Sequence, residues 1–245
     1  HFFETLADNG MQVVTSDLRF ADGVFTVDFD DFERKIIDEH VTVFIHCAPH
    51  NPTGKVFSVE EQRRLVEICA RHHVLLISDE IHSDIVYHQR VTHTGTVPGA
   101  QDGVISLLAP TKTFNIPALN CNLLVCENPA TMQAIRSFAK GLSLFFLSPL
   151  TYTALDVAYS GVCDEWLREC LAYIEGTMDL VVSFFQTHFP TLQAYKPEAT
   201  YLMWINFEGL GISSDRIDEL LGARGVALHR GASFGKGWEL WRRFN

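Results

Sequence analysis

The sequence lacks several patterns that would assign it to common functional classes. Its six cysteines include no Cys-x-x-Cys pair, and it contains no His-Glu-x-x-His segment, no Gly-x-Gly-x-x-Gly segment and no P-loop. These absences argue against a zinc ribbon, a thioredoxin-type redox pair, a zinc protease, a dinucleotide-dependent oxidoreductase and a P-loop NTPase. We therefore expect no metal site, and reduced, mostly buried cysteines of the kind found in cytoplasmic proteins.

Basic residues and long apolar runs are also scarce. The chain has 19 Lys and Arg against 30 Asp and Glu, a formal net charge of −11, without any basic cluster. That charge repels phosphate backbones and anionic membrane surfaces. No apolar stretch approaches the roughly 20 residues that span a bilayer, and the first residues lack a signal-peptide pattern. We expect neither nucleic acid nor a membrane as a partner.

What the sequence does contain is an alternation of short apolar runs and amphipathic stretches. Near-continuous apolar runs at residues 41–47, 74–78 and 104–108 are typical of strands buried on both faces of a parallel sheet. Between the first two, Ser58 and Glu61 have the spacing of a capping box at a helix start. This βαβ pattern predicts an α/β protein with a mostly parallel, doubly wound sheet.

The later part of the chain has a different pattern. Residues 154–185 contain no proline and predict one long helix, followed by a strand at 200–207, a helix from Ser213 or Ser214 to Leu221, and a short strand at 226–229. We expect a large domain over residues 1–150, a connecting long helix over 151–190 and a smaller α+β lobe over 191–245.

Polar residues follow each of the three apolar runs, where open parallel sheets bind ligands. They are Asn51 after the first run, Asp79 through His82 after the second, and Lys112 after the third. Taken singly, Asn51 fits an Asn-Pro turn, Asp79 a helix cap and Lys112 a surface lysine. Together they suit pyridoxal phosphate, because a lysine amine forms Schiff bases and a carboxylate can keep a pyridine nitrogen protonated.

Three segments carry a family resemblance: PHNPTGKVFSVEE at residues 49–61, LLISDEIHSDIVY at 75–87 and APTKTFNIPAL at 109–119. They resemble the class I/II aminotransferase group of fold type I pyridoxal-phosphate enzymes, most closely its MalY/PatB-type cystathionine β-lyase (C–S lyase) branch. The resemblance extends over the whole chain. It implies the pyridoxal 5'-phosphate-dependent transferase fold, a small amino-acid substrate and, for the full-length protein, a homodimer.

The resemblance also implies roles for individual residues. Lys112 would form the Schiff base with the cofactor and act as general base and acid. Asp79 would pair with the pyridinium nitrogen, and Asn51 would donate to the phenolic oxygen.

Four positions near these residues refine the resemblance. His82 stands where aminotransferases commonly have a tyrosine, as in the C–S lyase branch, and Asn120 replaces a phosphate-binding arginine. Thr111 is expected to contact the phosphate, whereas the side chain of Ala109 cannot. These departures favour the lyase branch and leave the main phosphate anchor unassigned.

The resemblance further implies that family members begin before this chain does and continue beyond it. The earlier portion would supply a glycine-rich phosphate loop, an aromatic residue stacked on the cofactor and contacts to the neighbouring subunit. Arg243, Phe244 and Asn245 match a segment that precedes the arginine for the substrate carboxylate, so we expect that arginine beyond Asn245.

The expected activity is β-elimination from L-cystathionine or a related cysteine S-conjugate, giving a thiol, pyruvate and ammonia. One alternative is a class I/II aminotransferase that uses the same residues to pass an amino group to a 2-oxo acid. Another is a regulatory protein on the same fold, because a fold does not dictate a function.

Overall fold

The computed structural model describes residues 2–144 and 147–245, which pack as two compact units. The first unit comprises His1–Ala48, Phe57–Asp84 and Arg90–Leu167, and the second comprises Pro49–Val56, Ile85–Gln89 and Arg168–Asn245. The second unit therefore contains two short segments from the first half of the chain.

The first unit holds an α/β arrangement. Its elements are α1 (Phe2–Asp8), β1 (Arg19–Ala21), β2 (Val24–Thr26), α2 (Phe29–Asp38), β3 (Val43–Cys47), α3 (Val59–Arg71), β4 (Leu75–Asp79), β5 (Val104–Leu108), α4 (Pro110–Thr113), β6 (Leu123–Val125), α5 (Pro129–Gly141) and α6 (Pro149–Ala158). Strands β1 and β2 form an antiparallel hairpin, and the other four strands form one sheet.

That sheet has the strand order β3-β4-β5-β6. Strands β3, β4 and β5 are parallel, as the three apolar runs predict, and β6 is antiparallel to β5. Cys47 pairs with Asp79, and Asp79 pairs with Leu107, so the carboxyl ends of the three parallel strands lie at one edge. This register brings the segments that follow β4 and β5 to the same edge of the sheet.

Helix α3 shows how the sequence stabilises this unit. Ser58 accepts a hydrogen bond from the backbone N–H of Glu61, and the Glu61 carboxylate accepts one from the backbone N–H of Ser58, which confirms the predicted capping box. The apolar face of α3 packs in a cluster of buried side chains on the sheet: Phe32, Ile36, Leu65, Val66, Ile68, Cys69, Val74, Leu76, Val97, Ala100 and Val104.

The second unit is built around an antiparallel sheet. Its elements are α7 (Asp164–His188), which begins in the first unit, β7 (Gln193–Ala194), β8 (Met203–Asn206), α8 (Ser214–Gly222), β9 (His229–Arg230) and β10 (Trp241–Phe244), with strand order β7-β8-β10-β9. All four residues of β8 are buried. The side chains of α7, α8 and the sheet meet in one core that includes Met178, Phe185, Met203, Ile205 and Ile217. The α+β content agrees with the prediction for this part of the chain.

The single helix predicted over residues 154–185 is wrong in one respect. The structure has two helices there, α6 ending at Ala158 and α7 beginning at Asp164. Gly161 between them has a φ of +89°, a conformation that residues with a Cβ rarely adopt. The absence of proline was therefore not enough to predict one helix, because a glycine in the left-handed region lies in the break between α6 and α7.

Within residues 2–144 and 147–245, no helix is long and apolar enough to cross a bilayer. The same residues contain no group of three or more His, Cys, Asp or Glu side chains that could hold a metal ion.

Candidate functional site

The carboxyl edge of the sheet in the first unit carries two of the predicted residues on adjacent strands. Asp79 is the last residue of β4, and Lys112 lies in α4, which begins two residues after β5 ends. The Lys112 ammonium is close enough to lower the pKa of the Asp79 carboxyl. The structure thus brings these two residues together, as expected from their places after neighbouring parallel strands.

Asp79 is buried with little to solvate its charge. Its side chain accepts one hydrogen bond in the part of the chain described, from the backbone N–H of Ile81 at 3.4 Å. Burial raises the pKa of Asp79 above its ordinary value, against the opposing effects of that hydrogen bond and of Lys112. A carboxylate in this position gains most from a cationic partner, because burial penalises its charged form.

The next residue, Glu80, has the opposite environment. Its carboxylate accepts hydrogen bonds from the backbone N–H of Thr94 at 3.1 Å, from Ser106 Oγ at 3.0 Å and from His93. Burial alone would raise the pKa of Glu80, but its hydrogen bonds, from His93 first, outweigh burial and lower the pKa. Glu80 therefore has three hydrogen-bond donors for its charge, whereas the described residues offer the Asp79 carboxylate one weak donor.

Two more predicted residues belong to the same unit. His82 is buried in the turn that follows β4, and Thr111 is buried beside Lys112. Lys112 itself is half-buried, and the short α4 ends where the backbone carbonyl of Thr111 accepts a hydrogen bond from the N–H of Ile116 at 3.0 Å. Asn120 is exposed, in a left-handed conformation after a turn of 3₁₀ helix.

Asn51 lies in the second unit, where its partner is an arginine. Its Oδ1 accepts a hydrogen bond from Arg243 Nη1 at 3.0 Å. The guanidinium of Arg243 also lies over the ring of Phe234, 5.1 Å from its centroid. Asn51 is therefore held by a cationic side chain nearly 200 residues away in sequence.

Arg243 is a candidate site residue that the sequence reasoning did not select. Its Nε is buried and has no hydrogen-bond partner among residues 2–144 and 147–245, and burial lowers the pKa of Arg243. Arg242 points to the other face of β10, where its Nε donates to Asp218 Oδ1 at 2.9 Å. The signal in the sequence was the pair of adjacent arginines in the segment WRRF. Neighbouring residues of a strand point to opposite faces, so the two guanidinium groups cannot share one acidic partner.

A cavity of about 240 Å³ also lies in the first unit. Glu80, His93, Ser106 and Cys126 are among the residues that line it. Asp79, His82, Thr111 and Lys112 do not line it, so the cavity is separate from the predicted site.

Comparison with known proteins agrees with this architecture. Cystathionine β-lyase PatB from Bacillus subtilis is 33% identical over all of this chain, and protein MalY from Escherichia coli is 30% identical over 96% of it. The solved structure of the PLP-bound C–S lyase from Staphylococcus hominis superposes with a TM-score of 0.91 over the whole chain at 27% identity.

The chain spans 64% and 60% of the length of these two relatives and 62% of that structure's chain. The profile of the family described as aminotransferase class I and II matches residues 2–245. This confirms the family resemblance and the fold that it implies. The chain belongs to the class I and II aminotransferase family.

Proposed function

We propose that the protein is a pyridoxal 5'-phosphate-dependent C–S β-lyase acting on L-cystathionine or a related cysteine S-conjugate. The observation that carries the proposal is the buried Asp79 carboxylate beside Lys112, with a raised pKa and one weak hydrogen bond. The two curated relatives and the solved C–S lyase support the choice of reaction.

The donor set of the site fits this cofactor. A protonated pyridine nitrogen is a cation that would satisfy Asp79, and a lysine amine at the adjacent strand end can bond covalently to an aldehyde. Asn51 would donate its amide N–H to the phenolic oxygen, since its Oδ1 already accepts from Arg243. Thr111 would donate to the phosphate, and His82 would lie beside the ring. When bound, pyridoxal phosphate supplies an aromatic ring that stabilises negative charge on the substrate α-carbon.

The chain's own groups would then move protons and hold charge. Lys112 Nζ removes the proton from the substrate α-carbon. The bond from the β-carbon to sulfur breaks, and the thiolate that leaves with the bonding electrons takes up a proton. Hydrolysis of the remaining three-carbon fragment releases pyruvate and ammonia, so one water is consumed for each substrate cleaved. Asp79 lowers the barrier by remaining ionised throughout.

Two measurements test the proposed reaction. The full-length protein should show a visible absorbance band that borohydride removes and that Lys112→Ala lacks, whereas the exposed Lys140→Ala retains it. The same protein should form pyruvate from L-cystathionine without an added 2-oxo acid. A requirement for a 2-oxo acid acceptor would instead identify an aminotransferase. A cofactor band without turnover of any amino acid would favour a regulatory role.

We also propose that the full-length protein is a homodimer in the cytoplasm. The described residues form no disulfide, as is usual in reducing compartments. Sedimentation of the full-length protein at micromolar concentration would test the dimer, which a monomer mass would contradict.

A further inference from the structure

Lys112 lies on an element that cannot fix its own position. Helix α4 has four residues, about one turn, and so short a helix is stable only when tertiary contacts hold it. The contacts on either side of Lys112 therefore determine where its amine lies. On the N-terminal side Pro110 and Thr111 are buried, and on the C-terminal side the contacts come from Thr113 and Phe114.

Thr113 is tied to the segment that carries Asp79. The Thr113 hydroxyl, in a buried side chain, donates to Asp84 Oδ2 at 3.0 Å. Asp84 lies five residues after Asp79 and is the last residue of the turn that follows β4. One hydrogen bond thus joins the turn that follows Asp79 to the helix that carries Lys112.

Aromatic side chains hold the other side of this junction. The ring of Phe114 packs edge-to-face on Tyr159 at 6.4 Å and is stacked with Trp166 at 6.0 Å, measured between ring centroids. The Tyr159 hydroxyl reaches the same Asp84 oxygen at 3.5 Å. Asp84 therefore accepts hydrogen bonds from both Thr113 and Tyr159. It links the end of α4 to the aromatic side chains that pack against Phe114.

We propose that Asp84 is a positioning residue for Lys112 and acts through its hydrogen bond with Thr113. The inference rests on the proposed function only for the use made of Lys112. Without the Thr113 hydroxyl, the half-buried Asp84 carboxylate would keep only the longer hydrogen bond from Tyr159 among the described residues. The end of α4 would then lose its hydrogen bond to the turn after β4. A misplacement of about 1 Å can lower the rate of an orientation-dependent step by up to about a hundredfold.

The test compares Thr113→Val, which keeps the shape and removes the donor, with Thr113→Ser, which keeps the donor. Asp84→Ala, Asp84→Asn and the double variant of Asp84→Ala with Thr113→Val complete the series. The exposed Thr153→Val, whose hydroxyl bonds only to Pro149 O in the described residues, is the control. Asp84→Asn provides a second probe should Asp84→Ala fail to fold.

The first measurement uses the cofactor-free protein. The rate at which acetic anhydride labels Lys112, followed by mass spectrometry of the peptide, should change about threefold or more in Thr113→Val and Asp84→Ala. Thr113→Ser and Thr153→Val should label at the wild-type rate. The double variant should match Asp84→Ala, because Asp84→Ala already removes the hydrogen bond that Thr113→Val would break.

The second measurement is steady-state kinetics of the holoenzyme. Thr113→Val and Asp84→Ala should each lower kcat about tenfold with KM within about twofold, and Thr113→Ser should restore kcat. Wild-type labelling in both Thr113→Val and Asp84→Ala would overturn the proposal, as would additive effects in the double variant. Altered labelling in a protein that forms no pyruvate would leave the positioning role intact and contradict the proposed reaction alone.

Discussion

At the scale of single residues, the site depends on unequal solvation of neighbouring groups. Asp79 and Glu80 are adjacent buried carboxyls, yet burial raises the pKa of the first while hydrogen bonds lower the pKa of the second. Alternation along a strand explains the difference, because successive side chains point to opposite faces. Glu80 meets His93 and Ser106 on one face, and Asp79, on the opposite face, receives one long hydrogen bond from the described residues.

Replacing Asp79 tests this reading directly. We expect Asp79→Ala to lower kcat/KM for pyruvate formation by about a hundredfold or more, because an uncharged partner leaves the pyridine nitrogen unprotonated. Asp79→Glu should lose much less, since it keeps the charge and changes only geometry. The exposed Asp156→Ala should retain wild-type activity. Equal activities of Asp79→Ala and Asp79→Glu would contradict the charge argument.

A second residue-scale prediction concerns acid stability. His46 is buried, bonds to Gln62 Oε1 at 3.1 Å, and burial lowers its pKa to about 4 from an ordinary 6.5. The unfolded chain therefore binds a proton that the native state does not, and stability present above pH 6.5 is lost as the pH falls toward 4. Between pH 7 and pH 5 this amounts to about 2 kcal/mol.

Urea unfolding at the two pH values measures that loss. His46→Gln, which has no proton to gain, should show a pH-dependent loss smaller by about 2 kcal/mol than the wild type. His229→Gln, at an exposed histidine in β9, should behave as the wild type. An identical pH dependence in His46→Gln and wild type would show that His46 is not the group responsible.

At the scale of elements, the sequence predicted what local chemistry determines. The three apolar runs became β3, β4 and β5, and Ser58 with Glu61 began α3, because burial periodicity and capping act over a few residues. The antiparallel direction of β6 was not predictable in this way, since it depends on which neighbour the strand finds. Nor was the position of Arg243, whose contact with Asn51 joins residues that are distant in sequence.

The capping box offers an element-scale prediction. Ser58→Ala removes the acceptor for the Glu61 N–H and should lower the free energy of unfolding by about 1 kcal/mol. Ser137→Ala, at an exposed position inside α5, is the matched control and should be neutral or slightly stabilising. Urea unfolding of both variants decides the matter. A loss in Ser58→Ala no larger than that in Ser137→Ala would mean that α3 does not depend on its cap.

At the scale of the whole molecule, each unit is assembled from separate parts of the chain. Residues 49–56 and 85–89 belong to the second unit although the strands before them belong to the first. Gly54 shows what this requires, because its φ is +70° and an added Cβ would lie 2.2 Å from Pro197 Cβ. The NPTG segment thus needs its glycine for close packing against a distant segment, which a reading of the sequence alone attributes to a turn.

Helix α7 has apolar side chains on two faces, one buried in the second unit and one exposed. Met178 and Phe185 are buried in the core of the second unit, while Tyr173, Leu180 and Phe184 are 78%, 69% and 50% exposed. Spacings of seven and four residues place these three side chains on one face of the helix. Contiguous apolar stripes of this kind commonly mark a surface that packs against a further protein surface.

We therefore expect the 245-residue polypeptide to associate in solution through the exposed stripe on α7. Leu180→Lys places a charge in the centre of the stripe and should lower the sedimentation coefficient measured at micromolar concentration toward that of a monomer. Val24→Lys, which replaces an exposed valine in β2, is the control for a general gain in solubility and should leave association unchanged. A wild-type polypeptide that sediments as a monomer throughout this range, or a Leu180→Lys variant that associates as the wild type does, would show that the stripe is not an interface.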